Sequence, residues 1–74
     1  GSRRQKRAEL VRLLLADRED GAPGATAEGL TARLSAVEQQ AGRSAVDQAL
    51  VEDLLAKLAG EGFCNECDGL WRIA

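Results

Sequence analysis

Glycine clusters divide this chain into stretches whose apolar residues recur at helical spacing, and after the last cluster the pattern changes to strand formers. The clearest break is Gly21-Ala22-Pro23-Gly24, which holds the only proline. Gly42 makes a second break, and Gly60 and Gly62 a third. A chain punctuated this way is limited to a few short elements packed on one another. At 74 residues it has room for a single domain with one thin core.

The spacing predicts a first helix from Arg3 to about Arg18, with Leu10, Val11 and Leu14 on one face and Leu13 and Leu15 beside it. Gly21 fits the position just past its end. Thr26 is the expected N-cap of a second helix, whose stripe is Leu30, Leu34, Val37 and Ala41. Ser44-Ala45-Val46-Asp47 reads as an S-x-x-D start for a third helix. There Val46, Leu50, Leu54 and Leu58 form the central stripe, and Val51 and Leu55 widen one side.

Residues 63–67 and 70–73 flank Asp68-Gly69, a dipeptide suited to both central positions of a type I′ turn, so a tight β-hairpin closes the chain. The link near Gly24-Ala25 is expected to add one or two residues of strand to that hairpin. A two-stranded hairpin is marginal alone and must pack on the helices. The fold class is therefore α+β: three helices followed by a short β-hairpin wing, the winged form of the helix-turn-helix. Gly1-Ser2 reads as the scar of a cleaved tag, leaving residues 3–74 as one winged-helix domain.

Thr26-Ala27-Glu28-Gly29-Leu30 resembles the opening of helix two in many winged helices. Leu54 to Phe63, leading into Asp68-Gly69-Leu70-Trp71-Arg72-Ile73, resembles their third helix and wing. Within that group the chain is most similar to the C-terminal domain of the MCM replicative helicases. The resemblance rests on Gly21-Ala22-Pro23, Ala41-Gly42-Arg43-Ser44, Glu61-Gly62-Phe63 and Leu70-Trp71-Arg72. The C-terminal winged helix of the middle subunit of replication protein A has a similar ending. Both resemblances imply a small module appended to a DNA-handling machine, one that mainly binds partner proteins or regulates and has weak or auxiliary DNA contact. The low aromatic and high alanine content departs from many members, and fold likeness specifies function poorly.

Composition narrows the chemistry. The chain has no histidine, so Ser/His/Asp and Cys/His nucleophile arrangements are excluded within it. No catalytic residues, cofactor, metal or small-molecule substrate are expected, and any ATPase would lie in another domain. No apolar run approaches the roughly 20 residues of a membrane span. Cys64-Asn65-Glu66-Cys67 is a lone CxxC, and a structural zinc site wants four ligands. An intermolecular zinc site or a reversible disulfide stays open beside two reduced thiols, with Cys64 near the core and Cys67 near the turn. Two thiols without a secretory signal fit a reducing intracellular compartment: the nucleus of a eukaryote, or the cytoplasm of an archaeon or bacterium.

Charge separates two functional readings. Arg3, Arg4, Lys6 and Arg7 lead the chain, whereas residues 8–74 hold six basic and twelve acidic residues, a net of -6. The candidate nucleic-acid contacts are those four residues with Arg43 and Arg72. The third helix would be the recognition helix. Its outer face shows Gln48, Ala49, Glu52, Ala56 and Ala59, with Asp53 at the side and Lys57 toward the apolar side. Base reading needs Arg, Lys, Asn or Gln with positive charge nearby, and only Gln48 qualifies. The candidate partner-binding residues are Gln48, Val51, Glu52, Leu55 and Trp71, with Val51 and Leu55 contributing an apolar seam if partly exposed. The first reading is a non-catalytic protein-interaction or regulatory module of a DNA-replication or repair protein. The alternative is the DNA-binding winged helix of a transcription regulator.

Overall fold

The computed structural model describes residues 2–74. Helices α1 (Arg3–Glu19), α2 (Ala27–Gln40) and α3 (Gln48–Gly60) precede strands β1 (Cys64–Cys67) and β2 (Leu70–Ile73). The result is a small α+β domain of three helices and an antiparallel hairpin, 31 × 24 × 17 Å.

All three helices end in the same way. The residue after each C-cap is a glycine at positive φ: Gly21 at 74°, Gly42 at 81° and Gly62 at 86°. In each case two backbone bonds close the last turn in the Schellman pattern. Gly21 and Ala22 donate to Arg18 and Asp17, Gly42 and Arg43 to Gln39 and Glu38, and Gly62 and Phe63 to Ala59 and Leu58. The starts differ. Thr26 caps α2 as expected, its hydroxyl accepting from the Gly29 N–H at 3.0 Å. Ser2 forms a capping box with Gln5, so the residue read as a tag scar satisfies the first turn of α1.

The expected start of α3 is displaced. Ser44 caps nothing and lies exposed, and the helix begins at Gln48 after Asp47, whose side chain makes no cap bond. Two ties to α2 explain the delay. The Arg43 N–H bonds the Glu38 carbonyl at 2.8 Å, and the Val46 N–H bonds the Ser35 hydroxyl at 3.0 Å. Residues 43–46 are thereby held against α2, and Val46 spends its N–H outside the helix.

The hairpin is as anticipated, one residue shorter at its start. Cys64 faces Ile73 and Cys67 faces Leu70, and Asp68 and Gly69 both have positive φ, at 54° and 82°. This is the type I′ requirement. Phe63 stays outside β1 because its N–H completes the end of α3. The link does add a one-residue strand. Ala25 N–H donates to the Trp71 carbonyl at 3.0 Å, and Trp71 N–H to the Ala25 carbonyl at 2.7 Å.

The core comprises Leu10, Leu13 and Leu14 of α1, Leu30 and Leu34 of α2, Val51, Leu54, Leu55 and Leu58 of α3, and Cys64. Two stripes are rotated from their expected positions. In α3 the buried set is Val51, Leu54, Leu55 and Leu58, while Leu50 and Val46 are half-buried. In α2 the third buried position is Glu38; Val37 is half-buried and Ala41 exposed.

Gly24 holds the link against the sheet. Its φ is 141°, and a Cβ there would lie 2.9 Å from Arg72 Cγ, 3.0 Å from Leu70 Cβ and 3.1 Å from the Trp71 carbonyl oxygen. Gly24→Ala is expected to lower unfolding free energy by about 2–3 kcal/mol, through backbone strain and loss of the Ala25–Trp71 pairing. Gly60→Ala, in open space at the end of α3, is expected to be neutral or stabilising by up to about 1 kcal/mol. Urea unfolding of the two variants beside the parent checks both.

Candidate interaction surfaces

The outer face of α3 is acidic and small. Gln48, Ala49, Glu52, Asp53, Ala56 and Lys57 are exposed. The Gln48 amide donates to the Glu52 carboxylate at 2.8 Å, so the one side chain on that face suited to reading a base is turned onto its neighbour. Lys57 does not lie toward the apolar side. It is exposed and pairs with Asp53 at 3.4 Å. Asp53 is also gripped by Arg3, and the hydrogen bonds from Arg3 and Lys57 hold its carboxyl below the usual range against a smaller opposing effect of burial.

Val51 and Leu55 are removed from the partner-binding set. Both are fully buried. The helix starts three residues later than a Ser44 cap implied, and its inward face is centred on these two residues rather than on Leu50 and Leu54. Gln48 and Glu52 are exposed, and Trp71 is half-buried against the core.

The basic residues are mostly engaged. Arg3 pairs with Asp53 of α3. Arg7 makes a two-pronged contact with Glu61, one bond at 2.7 Å, and its guanidinium lies 5.6 Å from the centre of the Phe63 ring. Glu61 is held below the usual carboxyl range chiefly by that hydrogen bonding. Lys6 is half-buried and lends its charge to Glu38. Arg43 is bound to Glu38. Arg4 and Arg72 are exposed with no ion pair among the described residues.

These residues do not form one surface. Arg3, Arg4, Arg7 and Lys57 line a shallow cleft of about 480 Å³ between α1 and α3. Arg72 lines a separate groove of about 350 Å³ beside the C-terminal half of α1, together with Arg18. An apolar depression next to Phe63 is floored by Val11 and Leu58. Phe63 and Leu15 are the large hydrophobic side chains left exposed, at 47% and 40%.

Sequence reasoning passed over Glu38 and Arg18. Glu38 is 2% exposed. The Arg43 hydrogen bond holds its carboxyl below the usual range, overcoming burial, with Arg43 and Lys6 adding charge attraction. The spacing carried a signal: an acid four residues before the glycine stop meets the base that follows the stop when a Schellman turn folds back. Arg18 carried no comparable signal, because only the folded link and β2 bring it beside Arg72.

Cys64 is buried, its thiol donating to the Leu55 carbonyl at 3.7 Å, and burial pushes its pKa up. Cys67 is exposed. Among the described residues no three His, Cys, Asp or Glu side chains are grouped to hold a metal ion, and no helix is long and apolar enough to cross a membrane. No family model, no curated protein and no solved structure matches the chain.

The carboxylates of Glu38, Asp53 and Glu61 all bind protons less readily when folded than in the open chain. Their contribution to stability is therefore complete above about pH 4.5, the ordinary value for glutamate, and is lost as pH falls through the lower folded values. The thermal midpoint is expected to hold from neutral pH to about pH 5 and then drop. Glu38→Gln should lower the midpoint at neutral pH, because Arg43 loses its charged partner, and should make the acid drop shallower. Circular-dichroism melts of both proteins across the acid range check the sign.

Proposed function

We propose that this domain is a non-catalytic protein-interaction and regulatory winged helix of a DNA-replication or repair protein, of the kind found at the C-terminus of MCM replicative helicases. In this reading its contact with DNA is at most auxiliary, and it works inside the cell, where Cys64 and Cys67 stay reduced. The observation that carries the reading is the outer face of α3. A helix entering a major groove presents donors to base edges and cations to the flanking phosphates. Here the corresponding face offers Glu52 and Asp53, a Gln48 turned onto Glu52, and a Lys57 already paired. Its alanines, Ala49 and Ala56, allow close approach of a partner backbone. Order of elements supports the winged-helix assignment: α2 and α3 are followed by the hairpin, and Ala25 extends the sheet.

A DNA-binding winged helix is favoured by one feature, the basic cleft lined by Arg3, Arg4, Arg7 and Lys57. Two of its four cations share Asp53, and Arg7 is held by Glu61, which leaves Arg4 to meet a phosphate without first breaking a pair.

Backbone amide shifts during titration with duplex and single-stranded DNA at low salt separate these readings. An interaction module shows either no response or small shifts confined to the first turns of α1. Broad shifts across α3 and the hairpin that salt reverses, as counterion release demands, overturn the proposal.

A further inference from the structure

We propose that the groove beside the C-terminal half of α1 is a docking site for a short acidic peptide segment carrying an aliphatic anchor. The inference rests on the reading of the domain as an interaction module and names a class of partner for its hairpin side. The groove lies between α1, the link to α2 and β2, and encloses about 350 Å³. That is the lower end of the range in which small ligands and side-chain anchors are held.

Its walls combine two kinds of surface. Leu14, Trp71 and Ile73 are apolar, and Trp71 and Ile73 are only half-buried, so part of each faces the groove. Trp71 is a fixed wall, because its N–H and carbonyl are both committed to Ala25. Arg18 and Arg72 also line the groove, and neither has an ion pair among the described residues. Asp17 is the one acidic side chain there, and it is already satisfied by Arg33 at 2.9 Å. Three of the backbone carbonyls ending α1 are also satisfied, since Asp20, Gly21 and Ala22 donate to Ala16, Arg18 and Asp17. Two uncompensated guanidiniums over an apolar floor are complementary to carboxylates flanking an aliphatic side chain. On a surface with a net charge of -6 over residues 8–74, such a pair is a local reversal of sign.

The same floor argues against nucleic acid. A duplex backbone offers phosphates but nothing aliphatic to seat on the accessible parts of Trp71 and Ile73. A single strand would need an open face of Trp71 for stacking, and that ring is half-buried in the core cluster.

Trp71 is the only tryptophan, so its emission reports the groove directly. The probe is a blocked synthetic peptide with a central leucine flanked by aspartates and glutamates, titrated into the intact domain at low salt. A saturable change in Trp71 emission is expected. Arg18→Gln and Arg72→Gln should each raise the dissociation constant about five- to tenfold, while Arg4→Gln, on the other cleft, leaves it unchanged. Replacing the leucine by alanine, or the acids by lysines, should abolish the change, and that comparison does not depend on any variant folding. No saturable change, equal response to the lysine peptide, or a stronger response to a single-stranded oligonucleotide overturns the proposal. DNA shifts across α3 would sink the interaction-module reading, whereas silence toward both DNA and the acidic peptide would sink the groove alone.

Discussion

The backbone reversals at Gly21, Gly42 and Gly62 are the constraint on which the other contacts depend. Each places the next residues where a tertiary tie is made. After Gly21 the link runs back along α1, so that Gly24 passes over β2 and Ala25 pairs with Trp71. After Gly42 the chain returns over α2, so that Arg43 reaches Glu38 and Val46 reaches the Ser35 hydroxyl. After Gly62, Phe63 closes α3 and Cys64 enters the core at the start of β1. An L-residue at any of these positions would be strained, and the strain would fall on a helix end and on the tie beyond it.

This dependence explains which parts of the fold were legible in the sequence. Helix ends at glycine, the Thr26 cap and the Asp68-Gly69 turn are written in local backbone preferences, and the residue types alone identify them. The start of α3 is different. Ser44 has the right chemistry for a cap, but two bonds to α2 outcompete a local one, and nothing near Ser44 in sequence announces the Ser35 hydroxyl as a rival. The buried face of α3 differs from the expected one as well. Val51 and Leu55, at the edge of the expected stripe, are its centre, because the face is set by where α1 and α2 lie rather than by the run of leucines alone.

The charged sites follow a similar division. That the leading turns are basic and the body acidic was plain from the sequence. That the two would neutralise each other across α1 and α3, Arg3 with Asp53 and Arg7 with Glu61, was not, since the partners are about 50 residues apart. Burial of Glu38 compounds this. A charged group in the core is tolerated only with a partner, and providing that partner removes Arg43 from the pool of phosphate contacts. The six candidate phosphate contacts, four in the leading basic run and two isolated arginines, resolve into three tied to carboxylates, a half-buried lysine, and two exposed arginines, Arg4 and Arg72, on different grooves.

A domain this small cannot keep structural and functional residues apart, and β2 illustrates why. Trp71 packs on the core cluster, pairs its backbone with Ala25 and walls a groove, all at once. Arg72 lays its stem against Gly24 while its guanidinium remains exposed. The alternation of a strand makes this possible: successive residues serve opposite faces, so four residues contribute to both packing and surface. On α3 the same thrift runs the other way. Four of its thirteen residues build the core, leaving an outer face of small and acidic side chains with little to grip a phosphate. The surface best equipped to hold another molecule is therefore the side of the hairpin that meets α1, where apolar area and free positive charge coincide.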